Sequence, residues 1–266
     1  MQSTPEQIAD VVTERLKGAD RVSLFLDFDG TLVPIESHPA APRLTEYATQ
    51  TLRSLLERDY VVTTILSGRS IEDLSARIHL DGLIYAGNHG LEIIGRGLQF
   101  TEPRAAARSE ELEQVCDELS AELGDIRGAL VEYKGLTASV HYRCVDPSAQ
   151  PRIEQAVRDA LARSRPAFRL NRGRKVLELM PRTAWDKGAA VRWIVEKLGD
   201  PKTLAVCLGD DSSDEHAFAA LPDAITVKVG TAGPTHALYR LKDPAAVHEF
   251  LRLFPPALTS AASKTP

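Results

Sequence analysis

Three stretches of this chain run apolar or β-branched without alternation, VSLFLDF (22–28), YVVTTILSG (60–68) and TLAVCLGD (203–210), and AITVKVG (224–230) reads as a further strand. A strand with one wet face alternates in polarity, so solid β-branched and apolar runs must be covered on both sides. The covering segments lie between them. RLTEYATQTLRSLLERD (43–59) places Leu44, Tyr47, Ala48, Leu52, Leu55 and Leu56 at helical spacing, and SIEDLSARI (70–78) reads as a short helix with Ser70 as its N-cap. LIYAGNHG (83–90) adds a further strand, and KGAAVRWIVEKLG (187–199), SDEHAFAAL (213–221) and residues 244–253 read as helices. Strand and helix in alternation predict an α/β fold, a Rossmann-like parallel sheet wrapped by helices.

The middle of the chain breaks that rhythm. A hairpin-like LEIIGRGLQF (91–100) leads into an acidic helix from about Ala105 to Leu123. Two alternating strands follow, ALVEYKG (129–135) and TASVHYR (137–143), joined at Gly135. A helix over 149–164 and a last hairpin, FRLNRGRKVLELMP (168–181), complete a small α+β unit with a half-exposed sheet. The expected layout is a core domain of residues 1–102 and 184–266, interrupted by an inserted unit of residues 103–183. The tail, ALTSAASKTP, is small and polar and is expected to fray.

Composition narrows the function classes. A net charge of −5 with no basic stripe speaks against nucleic acid, and no apolar run is long enough to span a bilayer. Cys116, Cys144 and Cys207 form no C-x-x-C pair, and the N-terminus carries acids where a signal peptide needs basic and then apolar residues. The expectation is a cytoplasmic protein.

In open α/β sheets, ligands gather at the carboxyl ends of the strands. Here those ends carry Asp27-Phe28-Asp29-Gly30-Thr31, then Ser67-Gly68-Arg69, then Gly209-Asp210-Asp211 followed by Asp214, while Lys187 opens the helix after the insertion. Each has an ordinary reading. Asp-Gly marks turns, Ser67-Gly68 can be a turn, and Asp210-Asp211 with two serines can cap a helix. A lysine at a helix start opposes the macrodipole and argues for a further reason. The conjunction, in this order and each at a strand end, is what outweighs the separate readings.

DFDGT, LSGR, DKG and GDDSSDE resemble the four motifs of the haloacid dehalogenase-like phosphohydrolases. AGNHGLEI, VEYKGLTASVHYR, GRKVLELMP and GDDSSDE are similar to the trehalose-6-phosphate phosphatases within that superfamily, which carry an α+β cap between the second and third motifs. The resemblance implies a Mg²⁺-dependent phosphatase acting on a small-molecule sugar phosphate through an aspartyl-phosphate. Asp27 is then the nucleophile and Asp29 the general acid and base. Ser67, Gly68 and Lys187 would hold the phosphate. Asp27, Asp210 and the Asp29 carbonyl would hold the metal, and Asp214 would bind its water shell or orient Lys187.

For the sugar, the resemblance points to Glu132, Lys134 and Glu178, with Arg143 and Lys175 assisting. Asn88 and His89 would assist from the core side, and Arg69 reaches the phosphate or pairs with a core acid. Without the resemblance, Glu132 and Lys134 read as a solvated strand face and His89 as a structural loop residue. Glu178 resists that reading, because Leu177 and Leu179 point to the opposite face. Any coupling to a trehalose-phosphate synthase is expected between separate proteins. The alternatives are a phosphatase of sucrose, mannosylglycerate or hexose phosphates, a mutase of the same fold, or a sugar-phosphate-binding module without catalysis.

Overall fold

The computed structural model describes residues 2–255 apart from 165–166, 174 and 232; the tail expected to fray lies outside them. A helix α1 (Pro5–Leu16), capped by Thr4, precedes β1 (Arg21–Leu26). The core continues with α2 (Glu46–Leu56), β2 (Val61–Leu66), α3 (Ile71–Ile78), β3 (Ile84–Gly87), β4 (Glu92–Gly95) and β5 (Leu98–Thr101). The inserted unit holds α4 (Pro103–Ala106), α5 (Ser109–Leu123), β6 (Leu130–Tyr133), β7 (Ala138–His141), α6 (Gln150–Arg163), β8 (Phe168–Gly173) and β9 (Val176–Pro181). The core resumes with α7 (Lys187–Leu198), β10 (Thr203–Gly209), α8 (Asp214–Ala220), β11 (Ile225–Val229), β12 (Tyr239–Leu241) and α9 (Pro244–Arg252).

The solid runs become the centre of an eight-stranded sheet of order β12-β11-β10-β1-β2-β3-β4-β5. Its pairs from β12 to β3 are parallel, and the β4–β5 hairpin extends the edge antiparallel. The α/β expectation holds. Leu24, Leu26, Ile65 and Val206 pack on one face with Ile8, Leu52 and Phe250 from α1, α2 and α9. Phe25, Val62 and Cys207 pack on the other with Ala190, Ile194 and Phe218 from α7 and α8. Burying both faces is what demanded the uninterrupted apolar sequence.

The inserted unit folds a four-stranded antiparallel sheet of order β6-β7-β9-β8 over α5 and α6. Ala138, Val140, Leu177 and Leu179 point into its own apolar core with Leu119 and Ile153. The alternate residues, Ser139 and Glu178, therefore turn to the opposite face.

Two details differ from the sequence reading. The acidic helix is broken at Ala107 and Arg108, where Arg108 leaves the helical region (φ −113°, ψ 4°). Strand β1 stops at Leu26 rather than running through the acidic motif, although Asp27 N–H still donates to Leu208 carbonyl (3.0 Å). Gly30, at φ +85°, then turns the chain. No helix among the described residues is long and apolar enough to cross a membrane.

Candidate functional site

A cavity of about 580 Å³ opens between the carboxyl ends of the core strands and the open face of the inserted sheet. The core side brings Asp27, Asp29, Ser67, Gly68, Lys187 and Asp210 to its wall. The inserted unit brings Glu132, Lys134, Arg143, Lys175 and Glu178, and Arg69 and His89 complete the candidates that line it.

At the floor, Lys187 is 2% exposed and donates from Nζ to Asp27 Oδ1 (2.8 Å) and Asp214 Oδ1 (2.7 Å). Asp186 makes this possible by capping α7 through Ala189 N–H (2.8 Å), which seats Lys187 in the first turn directly behind the motif. Burial alone would depress the ammonium, but Asp214 and Asp27 raise its pKa, so it stays charged. Burial pushes the Asp27 carboxyl well above the usual range; Lys187 opposes the rise, and Asp214 and Asp210 add to it. Asp210 is pushed up to about 7 by burial and by Asp214 and Asp211.

Oxygen atoms of Asp27, Asp210 and Asp214 lie within 4.8 Å of one another. Lys187 supplies one positive charge against three acids, and no protein donor reaches the Asp210 carboxylate among the described residues. A hard divalent cation fits that donor set. Both Asp214 oxygens are already engaged, by Lys187 Nζ and by Asp211 N–H (3.0 Å), so the free ligand atoms belong to Asp27 and Asp210. Asp214 lies just under the cavity wall, 3% exposed.

Asp29 does not face the same partners as Asp27. Its carboxylate is held by the Arg69 fork, Nε to Oδ2 (2.5 Å) and Nη2 to Oδ1 (2.8 Å), and Arg69 also bonds Asp73 Oδ2 (2.7 Å) and Pro39 carbonyl (3.0 Å). Ser67 Oγ accepts from Arg69 N–H (3.2 Å) and sits beside the floor.

On the inserted side, Glu132 Oε2 meets His141 Nε2 at 2.7 Å, and Lys134 Nζ donates to Gly68 carbonyl (2.8 Å). Glu178 Oε1 lies 3.1 Å from His89 Nε2 and its Oε2 accepts from Asn171 Nδ2 (2.9 Å). Burial alone would push Glu178 up, but His89 and Lys134 hold it well below the usual carboxylate range. Lys175 leans over the Tyr142 ring and donates to Gln150 Oε1 (2.9 Å), and Arg143 donates to Glu36 carbonyl.

Asn88 is the sugar-contact candidate that does not reach the cavity wall. Fully buried, it donates to Glu92 Oε1 (2.7 Å) and Lys134 carbonyl (2.9 Å) and accepts from Thr137 Oγ1 (2.5 Å). It ties the β6–β7 turn to the core. Conversely, Ser139 and His141 line the cavity and were missed from the sequence. The hairpin closed at Gly135 held the signal, because its register sets Glu132 opposite Ser139.

Comparison with known proteins identifies the family. The model of a family described as trehalose-phosphatase matches residues 25–245, a span that takes in every candidate side chain. The chain is 39% identical over 239 residues to a trehalose-phosphate phosphatase of Mycobacterium ulcerans, covering 86% of this chain and 60% of that protein. It is 34% identical over 278 residues to a probable trehalose-phosphate phosphatase of Oryza sativa subsp. japonica, covering 95% and 74%. The crystal structure of a trehalose-6-phosphate phosphatase related protein superposes with a TM-score of 0.77 at 26% identity, covering 86% of this chain and 95% of that one. The chain thus spans about 60% of the length of the mycobacterial trehalose-phosphate phosphatases it matches.

Proposed function

This chain belongs to the trehalose-phosphatase family, and on that premise we propose that it hydrolyses trehalose 6-phosphate to trehalose and phosphate with Mg²⁺, using residues 103–183 as a cap over the core. The observation that carries the reading is the buried Lys187 bound to Asp27 at the floor of a cavity whose other wall presents Glu132, Lys134 and Glu178. A phosphoryl group needs fixed positive charge and an in-line nucleophile, and a sugar needs groups that bond hydroxyls. Both sets face one space.

Held by Asp27 and Asp210, Mg²⁺ would neutralise charge on the phosphoryl oxygens and let a carboxylate approach them. Lys187 fixes the Asp27 carboxylate through Oδ1, an oxygen with a second lone pair left for the cation, and the other oxygen is free to attack phosphorus in line. The P–O bond to the sugar oxygen breaks as that oxygen takes a proton from Asp29, leaving an aspartyl-phosphate on Asp27. Asp29, now a carboxylate, then takes a proton from water as the water oxygen attacks phosphorus, and phosphate leaves with Asp27 restored. Arg69 occupies both Asp29 oxygens, so each proton transfer requires one oxygen to be released. The incoming phosphate is the anion that competes for the guanidinium.

Unpaired Cys116, Cys144 and Cys207 suit a cytoplasmic setting. The deciding experiment is phosphate release with Mg²⁺ from trehalose 6-phosphate, glucose 6-phosphate and sucrose 6-phosphate, for wild type and Asp27→Asn. A strong preference for the trehalose ester, lost in the variant, supports the proposal. Preference for another ester keeps the chemistry and overturns the substrate.

A further inference from the structure

The inserted unit meets the core through a node of four residues at the cavity wall. His89 and Glu178 approach at 3.1 Å, with side chains only 7% and 10% exposed. Lys134 lies 3.6 Å from the same Glu178 oxygen and donates to Gly68 carbonyl. Two of these residues come from the core and two from the insertion.

His89 occupies a costly position. Its backbone is left-handed (φ +60°) between Asn88 (φ +49°) and Gly90 (φ +86°), and its buried Nδ1 has no partner among the described residues. Non-glycine residues hold such backbone, and buried polar atoms stay unpaired, only where the surroundings force them. Gly68 is part of what makes room. A Cβ there would fall 2.8 Å from the imidazole Cε1 and Nε2 and 3.6 Å from Glu178 Oε1. Gly68 does not have the positive φ that would otherwise call for glycine, so its small size serves the contact.

We propose that His89 is a positioning residue for sugar recognition: it fixes the Glu178 carboxylate from the core side, so that this acid faces the sugar only when the insertion is docked. A carboxylate offers about four acceptor sites. His89 and Asn171 occupy one on each oxygen, which sets the plane of the group and leaves the remaining sites for hydroxyls. Docking and recognition then share one contact, and His89 acts through Glu178 rather than on the phosphate. The inference rests on the sugar-phosphate reading above.

The test measures kcat/KM with Mg²⁺ for trehalose 6-phosphate and for p-nitrophenyl phosphate, in wild type, His89→Ala, His89→Gln, Gly68→Ala, Glu178→Ala and the His89→Ala/Glu178→Ala double variant. His89→Ala lowers the ratio of sugar ester to aryl ester about tenfold, the effect of one charge-assisted hydrogen bond. His89→Gln recovers most of the ratio, because its amide can still donate. On the sugar ester the double variant is no worse than Glu178→Ala alone, since the first residue acts through the second.

Equal loss on both esters for His89→Ala, or additive losses in the double variant, would overturn the proposal. Should wild type hydrolyse the aryl ester and not trehalose 6-phosphate, the substrate reading falls. Amide hydrogen exchange in residues 130–134 and 176–180 then decides the docking role. His89→Ala and Gly68→Ala must both exchange faster there than wild type, and unchanged exchange overturns the contact itself.

Discussion

Lys187 Nζ and Asp27 Oδ1 form a buried ion pair at 2.8 Å, with the two side chains 2% and 8% exposed. The same ammonium holds Asp214, so one cation stabilises two carboxylates that have almost no water around them. Removing one partner of such a pair leaves the others charged and unsolvated, which costs about 3–5 kcal/mol. Lys187→Met is therefore expected to lower unfolding free energy by that amount in urea titrations. Adding Asp214→Asn to it should recover part of the loss. If the double variant were less stable than Lys187→Met alone, the charge argument would be wrong.

Gly30 gives a sharper probe of the acid cluster. Its φ is +85°, and a Cβ there would lie 2.2 Å from Asp210 Oδ2. Gly97 has a similar backbone (φ +80°) with nothing within 4 Å. Alanine at either position carries the left-handed penalty of about 1–2 kcal/mol. Only Gly30→Ala must also move the Asp210 carboxylate. We expect both variants to lose similar stability, while Gly30→Ala alone loses phosphatase activity by about a hundredfold or more. Equal activities would show that Asp210 can shift without consequence.

That contrast also marks what the sequence could say. The apolar runs specified the parallel sheet because both faces had to be covered, and the acids at strand ends named the floor of the cavity. Lys187 was legible as an oddity at a helix start. The partner of Asp29 was not: Arg69 was left between phosphate and core acid, and the choice depends on where a loop forty residues away comes to rest. Asn88 was read as a sugar contact, and its burial follows from three successive left-handed residues and the docking of the β6–β7 turn. His141 lay within a correctly placed hairpin. Applying the register of that hairpin would have found it.

Cation binding can be tested without turnover. Among the described residues no protein donor reaches the Asp210 carboxylate, and Asp27 keeps acceptor sites beyond the one that Lys187 fills. A ligand that binds only the folded state at a hundred times its dissociation constant adds about 2.7 kcal/mol, or roughly 5–10 °C in Tm for a chain of this size. Mg²⁺ added to chelator-treated protein is expected to raise Tm on that scale, and Asp210→Asn should abolish most of the rise. A rise that survives in Asp210→Asn would place the cation elsewhere.

His248 ties acid stability to the loop that carries Asp27 and Asp29. It is 7% exposed on α9, its Nε2 donates to Leu32 carbonyl (2.8 Å), and its Nδ1 has no partner among the described residues. A carbonyl can only accept, so Nε2 carries a proton whether the ring is neutral or charged. Burial lowers its pKa below 6.5, and the Leu32 bond offsets that only in part. The folded chain thus holds the proton less tightly than the unfolded chain. The linkage contributes its full stability above about pH 6.5 and loses it as pH falls from there toward the folded value. His248→Gln keeps a donor for Leu32 and removes the titration. Thermal melts at pH 7.5 and 5.5 are expected to show a smaller acid drop in the variant than in wild type; equal drops would assign acid sensitivity to other groups. Leu32 follows Asp27 and Asp29 in the same turn, with its N–H bonded to Phe28 carbonyl (2.9 Å). The imidazolium keeps its Nε2–H donor to Leu32, so its buried charge lowers stability without breaking this tie to the segment that carries Asp27 and Asp29.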